Sequence, residues 1–182
     1  MKKRTLPLLL AILLLFTACQ GKSNPDYLSG KQTGDPALDE SVKTLLTEIC
    51  AKSDAPLEAV YDWLCTELKY RAAPGESVKE FTEEIVVSLA QETLDKRRCD
   101  CDGEAALTAV LLRRMGYDAE IVQGQFRRGA GGEWVDHAWV RAAIDGIEYF
   151  FDPLYDAHFT DGDTASCFMA TAAEMEATHR WE

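Results

Sequence analysis

Positive charge is scarce in this sequence. Its 182 residues include 19 lysines and arginines against 31 aspartates and glutamates, which gives a formal net charge of −12 at pH 7. A domain this acidic repels nucleic acid and anionic lipid surfaces, so we expect no nucleic-acid partner. The length fits one domain, and the acidity favours solubility or a basic partner or substrate.

Three patterns that would indicate other functions are also missing. No apolar run reaches the roughly 20 residues that a membrane-spanning helix needs. The two closest cysteines, Cys99 and Cys101, are separated by one residue, whereas zinc sites and thiol–disulfide exchangers favour two or more. The glycine-rich run over 127–132 lacks the flanks of a phosphate-binding loop, and we interpret it as a hairpin connection.

The start of the chain has the pattern of a signal peptide. Three basic residues at 2–4 precede an apolar run over 6–16, and two small residues then precede Cys19. We therefore predict that residues 1–18 are a cleaved leader. The placement of Cys19 resembles the lipobox of bacterial lipoproteins, which implies an extracytoplasmic protein held at the membrane by a lipid on Cys19. Residues 19–36 are polar and predict a flexible tether, followed by one domain over 37–182.

Apart from Cys19, the cysteine count is odd, with five: Cys50, Cys65, Cys99, Cys101 and Cys167. Four of them can pair in an oxidising compartment, which leaves one thiol unexplained. Cys99 and Cys101 cannot easily bridge each other, so each would need a different partner.

The stretch over 97–107 organises the rest of the chain. A helix that is apolar on almost every side, and therefore buried, is predicted to begin near Cys101 and to end before Gly116. A thiol in the first turn lies at the positive end of the helix, where the nucleophilic thiolate is stabilised. The alternative is that Cys99 or Cys101 only packs or forms a disulfide.

The spacing of apolar residues predicts the other elements. Helical spacing indicates helices over 37–52, 56–70 and 78–95, and alternation indicates strands over 117–126, 134–144 and 147–152. We also predict a closing helix over 171–181. His158 and His179 have no candidate partner nearby in the sequence, so both are predicted to lie on the surface.

A hairpin turn at Asp145-Gly146 permits a geometric prediction. A two-residue loop places Trp139 opposite Asp152, and His137 lies on the same face as Trp139. Diagonal neighbours in such a pair are about 7–8 Å apart at the backbone, which long side chains can bridge. We therefore predict a hydrogen bond between Asp152 and His137.

These residues supply the roles that cysteine catalysis needs. In such a site a histidine exchanges a proton with the thiol, and an aspartate orients the imidazole and stabilises its charged form. Backbone N–H groups at a helix start stabilise the oxyanion that develops. Cys101, His137 and Asp152 are the candidates for these three side-chain roles, and we expect Cys101 and His137 to titrate as a coupled pair.

The same residues lie in an ordered set of motifs that resembles the bacterial transglutaminase-like superfamily. The motifs occupy residues 101–105, 111–117, 122–124, 137–140 and 144–153, after a similar lead-in over 59–70. The resemblance covers about 55–155 and implies a papain-like α+β fold, with helices packed on an antiparallel sheet and the nucleophile at a helix N-terminus. It further implies acyl transfer or hydrolysis at amide bonds of protein or peptide substrates, with no cofactor and no metal.

By this resemblance Cys101 is the nucleophile, His137 the general base and acid, and Asp152 the orienting carboxylate. Two positions depart from the family pattern, because Cys99 stands where glycine is usual and Glu104 where an aromatic residue is usual. Cys99 is the alternative nucleophile, but Cys101 lies at the predicted helix start. Tyr70, Trp139 and Cys99 are candidates for the cleft.

Three other functions stay open from the sequence alone. The first is a catalytically silent surface domain of the same fold that binds peptide or glycan. The second is a metal site that uses Cys99, Cys101, His137 and Asp152. The third is a thiol-redox site built on the Cys-x-Cys pair, although this would leave His137 and Asp152 without a role.

Overall fold

The computed structural model describes residues 27–72, 77–128, 131–160 and 166–182. The predicted leader, Cys19 and the first part of the predicted tether lie outside these ranges. Within them, no helix combines the length and apolarity needed to cross a bilayer.

Four longer helices form one layer of the fold: α1 (Pro36–Cys50), α2 (Pro56–Glu67), α3 (Glu83–Lys96) and α4 (Cys101–Arg114). α1 begins where the Asp35 carboxylate caps the N–H groups of Ala37 and Leu38. α3 begins later than the predicted residue 78, because the Thr82 hydroxyl caps the N–H of Ile85. Two short helices, α5 (Pro153–His158) and α6 (Ala172–Met175), follow the main strands.

The second layer is an antiparallel sheet of five strands. The strands are β3 (Asp118–Phe126), β4 (Val135–Ile144), β5 (Ile147–Phe151), β6 (Phe168–Ala170) and β7 (His179–Arg180), in the spatial order β6-β5-β4-β3-β7. A separate parallel pair, β1 (Lys69–Tyr70) and β2 (Arg98–Cys99), places Tyr70 beside Cys99. The predicted α+β fold of helices packed on an antiparallel sheet is confirmed.

The predicted hairpin register is also confirmed. Ile144 pairs with Ile147, and Arg141 pairs with Phe150. Asp145 and Gly146 have φ values of +52° and +79°. Positive φ at both central positions is the conformation that a two-residue hairpin turn prefers.

α4 is the buried centre of the molecule, as predicted. One side of α4 packs on the sheet, where Ala105, Ala109 and Leu112 meet Ala138 and Val140 of β4. Another side packs in the helical layer, in a cluster that includes Leu46, Leu64, Val86, Leu107 and Leu111. The start of α4 is consequently held in one position relative to both layers.

The opposite face of the sheet is buried as well. Trp139 and Phe150 point to this side and pack with Tyr155, Cys167 and Met175 from the last third of the chain. The closing helix predicted over 171–181 is wrong, because the helix that begins after Thr171 ends at Met175. The chain then extends, and His179 and Arg180 pair with the end of β3.

Part of the predicted tether packs on the domain. The N–H groups of Gly30 and Lys31 donate to the carbonyls of Arg114 and Arg113 at 3.0 Å. The Arg114 side chain in turn donates to the carbonyls of Leu28 and Gly30. The structure therefore differs from the prediction over residues 28–31, which cover the otherwise open end of α4.

Candidate active site

Cys101 is the first residue of α4, the position that was predicted for it. The Asp100 carboxylate caps the helix by accepting the N–H of Gly103 at 2.9 Å. The Asp100 carbonyl also accepts the N–H of Glu104 at 3.1 Å, so the N–H groups of Cys101 and Asp102 are the ones left without an acceptor inside the helix. The Cys101 side chain is half-buried and lines a cavity of about 420 Å³ together with His137 and Tyr70.

His137 and Asp152 form the predicted hydrogen bond. Nε2 of His137 lies 2.7 Å from Oδ2 of Asp152, and the two side chains are 1% and 2% exposed. Asp152 also caps α5, since its Oδ1 accepts the N–H of Tyr155 at 2.9 Å. The carboxylate is thus held by the backbone as well as by the imidazole, which leaves Nδ1 of His137 for a second partner.

The charge state of His137 depends on both of its neighbours. Burial alone would lower its pKa, but the charge and hydrogen bond of Asp152, followed by those of Cys101, raise the pKa of His137 to about 10. Burial would likewise raise the pKa of Asp152, but the charge and hydrogen bond of His137 hold it well below its usual value. Each member of the buried pair therefore favours the charged form of the other, an imidazolium beside a carboxylate.

A second histidine, His179, lies on the same carboxylate. Its Nε2 is 2.9 Å from Oδ2 of Asp152, and its Nδ1 is 2.8 Å from the hydroxyl of Thr178. The prediction that His179 lies on the surface is wrong, because its side chain is fully buried. Its strand has only two residues, too few for any periodicity in the sequence to reveal it. His158 is exposed, as predicted.

Cys99 lies on the other side of the helix start. Its Sγ is 3.4 Å from Oε2 of Glu104, and burial and this carboxyl raise the pKa of the Cys99 thiol far above its ordinary value. Cys99, Arg71 and Arg98 line a cavity separate from the one beside Cys101. The residues that line this separate cavity do not include His137. The structure therefore does not place Cys99 in the cleft with His137.

The cavity beside Cys101 is bounded mainly by apolar side chains. Apart from Cys101 and His137, its wall includes Tyr70, Phe126, Val135, Leu154 and Phe159. Tyr70 is thus one of the residues that line this cavity. Trp139, the third cleft candidate, is instead buried behind His137, with a ring-centroid distance of 5.9 Å.

A second, more polar cavity of about 570 Å³ lies on the other side of His137. Asp102 and Gln123 line it, and both bind the backbone of Val78. Oδ2 of Asp102 accepts the Val78 N–H at 2.8 Å, and Nε2 of Gln123 donates to the Val78 carbonyl at 2.6 Å. Asp136 and His137 line both cavities, so the two cavities adjoin each other at the histidine.

The sequence profile of the Transglutaminase-like superfamily matches residues 41–153. The chain belongs to this superfamily. No curated protein sequence matches it. Among solved structures, it is similar to a proposed cysteine protease from Cytophaga hutchinsonii, with 18% identity, a TM-score of 0.50, and coverage of 86% of this chain and 50% of that one. It is also similar to a TGase, with 18% identity, a TM-score of 0.49, and coverage of 71% and 34%. The chain thus spans half the length of the first of these structures.

Glu104 is a buried acidic residue in the first turn of α4. It lies three residues after Cys101 and is almost fully buried, with its carboxyl against the Cys99 thiol. Burial, and then the charge of Asp152, raise the pKa of Glu104 to about 8. At neutral pH this carboxyl is mostly protonated, so it does not oppose a thiolate on Cys101.

The distances in the transglutaminase-like site also bear on the metal alternative. Within the described ranges, the candidate ligand set is His137, Asp152 and His179 and contains neither Cys99 nor Cys101. Two ligand atoms bound tetrahedrally to zinc lie about 3.3 Å apart, given metal–ligand bonds of about 2.0–2.1 Å. The observed separations of 2.7 and 2.9 Å are those of hydrogen bonds.

Proposed function

We propose that this transglutaminase-like domain is a cysteine-dependent enzyme that transfers or hydrolyses acyl groups at amide bonds of protein or peptide substrates. Cys101 is the nucleophile, His137 the general acid and base, and Asp152 the orienting carboxylate. One observation carries the proposal: the buried 2.7 Å bond between His137 and Asp152, with the Cys101 thiol in the same cavity as His137 and close enough to raise the pKa of the imidazole.

The proposed reaction begins with the Cys101 thiolate and the His137 imidazolium. The sulfur forms a bond to the amide carbon, and N–H groups of the first turn of α4 stabilise the oxyanion. When the C–N bond breaks, His137 donates its proton to the departing amine, which leaves a thioester on Cys101. Water or an acceptor amine then attacks, His137 takes the proton, and the C–S bond breaks to restore the thiolate.

Asp152 has two roles in this scheme. Its bond to Nε2 of His137 leaves Nδ1 to exchange the proton with Cys101. Its negative charge also stabilises the imidazolium whenever the proton resides on His137. Both roles require an ionised and immobile carboxylate, and the backbone bond from Tyr155 supports this.

The first experiment is iodoacetamide labelling at near-neutral pH, with the modified cysteine located by peptide mapping. We expect fast labelling at Cys101 and a rate about tenfold to a hundredfold lower in His137→Ala, because loss of one charged hydrogen bond has this effect. Labelling in the wild type that is slow, or unchanged by the substitution, would contradict the proposal. Such a result would favour a silent binding domain, which would also keep its ligand after Cys101→Ser.

The choice between the two cysteines is tested by a matched pair of variants. We expect Cys101→Ser to abolish fast labelling and Cys99→Ser to preserve it. The reason is that the Cys99 thiol is buried against Glu104 and lines a different cavity from the one beside His137. Fast labelling that persists in Cys101→Ser and vanishes in Cys99→Ser would reverse the assignment.

We also propose that the protein is extracytoplasmic and held at the membrane by a lipid on Cys19. The support is the sequence pattern of residues 1–19. Wild-type protein expressed in bacteria is expected to incorporate a labelled fatty acid and to sediment with membranes. Cys19→Ala is expected to do neither, and equal sedimentation of both proteins would contradict the proposal.

A further inference from the structure

Asp152 lies between two buried imidazoles. Its Oδ2 is 2.7 Å from Nε2 of His137 and 2.9 Å from Nε2 of His179. Its Oδ1 accepts the backbone N–H of Tyr155 at 2.9 Å. Only the first and third of these contacts are needed for a cysteine–histidine–aspartate site, so the His179 contact requires its own explanation.

We propose that His179 is a positioning residue, which donates a hydrogen bond to Asp152 and keeps that carboxylate ionised and turned toward His137. This inference rests on the proposed function of the Cys101 site. His179 touches no reacting atom in this arrangement, because it acts through Asp152 on His137.

An ionised Asp152 only accepts hydrogen bonds, so Nε2 of His179 carries a proton, and the Thr178 hydroxyl can donate to the other ring nitrogen. The neutral form with a proton on Nε2 donates to Asp152, while its Nδ1 accepts the Thr178 hydroxyl at 2.8 Å. This form satisfies both ring nitrogens without adding a second positive charge beside the His137 imidazolium. Thr178 and His179 are both buried, so water does not compete for these bonds.

The fold holds the His179 ring on three sides. His179 is paired with Phe126 across the β3–β7 ladder, and the centroids of the two rings are 6.5 Å apart. The rings of Tyr155 and Trp139 lie edge-on to His179 at centroid distances of 4.9 and 5.0 Å. The imidazole therefore has little freedom to leave Asp152, as a positioning role requires.

Other titratable groups also face this carboxylate. Glu104 on α4, Cys65 on α2 and Cys167 before β6 all interact with Asp152, and Asp102 interacts with His137. The pKa values of Glu104 and Cys65 are raised to about 8 and about 12 by burial and neighbouring charge, and that of Cys167 is raised further by the same causes. Burial raises the pKa of Asp102, and this residue is present in every variant below.

The test is the pH dependence of Cys101 labelling in His179→Leu, His179→Gln and Met175→Ala. Leucine removes the donor, whereas glutamine can place an amide N–H near the position of Nε2. Met175 is buried four residues earlier in the same apolar cluster, without a polar group, so it controls for loosening of this region. Circular dichroism establishes that each variant is folded.

We expect His179→Leu to lower the labelling rate about tenfold, the effect of one charged hydrogen bond. We also expect the acid limb of its profile to move to higher pH, because a carboxylate that loses a donor is protonated more readily. His179→Gln should return the acid limb of the labelling profile to its wild-type pH. Met175→Ala should lower thermal stability but leave the acid limb at its wild-type pH. A limb that stays fixed in His179→Leu, or moves equally in Met175→Ala, would overturn the positioning role.

Imidazole ¹⁵N NMR tests the positioning role of His179 independently of Cys101 reactivity. We expect the pKa of His137 to fall toward its ordinary value in His179→Leu and, to a smaller extent, in Thr178→Val, because the Asp152 carboxylate is then no longer held in its position beside the imidazolium. The second variant keeps the side-chain shape and removes only the hydroxyl. Unchanged His137 titration in both variants would overturn the inference, whereas slow wild-type labelling alone would contradict only the proposed function.

Discussion

His137 on β4 and Asp152 at the start of α5 are bonded at 2.7 Å, although they are 15 residues apart in the chain. The β4–β5 hairpin brings them together, and the register of that hairpin depends on the turn at Asp145-Gly146. A local feature of the sequence thereby determines a contact between the proposed base and its orienting carboxylate.

Replacement of Asp152 by asparagine tests this contact. Asp152→Asn keeps the size of the side chain but removes the charge that stabilises the His137 imidazolium. We expect the labelling rate of Cys101 to fall by roughly a hundredfold or more, as in other triads that lose this carboxylate. The matched control is Asp145→Asn, the same change in the exposed turn of the hairpin, which should leave the rate unchanged. Equal rates in all three proteins would exclude a role for the carboxylate.

The burial of Glu104 predicts how the free energy of unfolding changes with pH. Its pKa is raised to about 8 in the folded protein, mainly by burial, whereas an exposed glutamate titrates near pH 4.3. The unfolded chain therefore loses this proton first, so the contribution of Glu104 to the free energy of unfolding decreases from about pH 4 to about pH 8. The neutral variant Glu104→Gln avoids this loss.

We expect urea unfolding to show Glu104→Gln gaining stability relative to the wild type as the pH rises from 5 to 9. The amide keeps an oxygen acceptor for the Cys99 thiol, so the comparison isolates the ionisation of Glu104. A difference in unfolding free energy that is the same at both pH values would show that Glu104 titrates normally in the folded protein.

The close packing of β7 and Trp139 against Gly124 on β3 predicts the effect of adding a side chain at this position. A Cβ at this position would lie 2.3 Å from the Arg180 carbonyl oxygen and 2.6 Å from the Trp139 ring. We therefore expect Gly124→Ala to push β7 from β3 and to destabilise the protein by about 1–3 kcal/mol, the usual range for overpacking. Thermal unfolding measures the change.

The matched control for Gly124→Ala is Gly131→Ala, because a Cβ at Gly131 has no neighbour within 4 Å. This control should unfold at the wild-type temperature. Because β7 carries His179, Gly124→Ala should also lower Cys101 labelling, whereas equal unfolding temperatures of the two variants would show that β7 does not press on Gly124.

The predictions that the structure confirms are those with strong local signals. The buried helix that begins at Cys101 was indicated by an almost uninterrupted apolar surface after a polar, charged run. The hairpin was indicated by alternating residues on either side of Asp145-Gly146. In both cases the deciding residues are adjacent in the chain, so periodicity and turn chemistry are sufficient.

The features that the sequence did not reveal depend on distant contacts. α3 starts at Glu83 rather than near residue 78, because Val78 is bound instead by Asp102 and Gln123. Trp139 was a candidate for the cleft, and it lies on the same strand face as His137. That face is covered by Tyr155 and Met175, which buries the indole.

The sequence by itself therefore determined the helix that presents Cys101 and the hairpin that joins His137 to Asp152, because both are encoded by neighbouring residues. Only the tertiary structure decided that His179 lies within hydrogen-bonding distance of Asp152. A two-residue strand has no periodicity of its own, and His179 becomes buried only when the end of the chain pairs with β3. Its role depends on a contact between residues 27 positions apart, and no local pattern specifies such a contact.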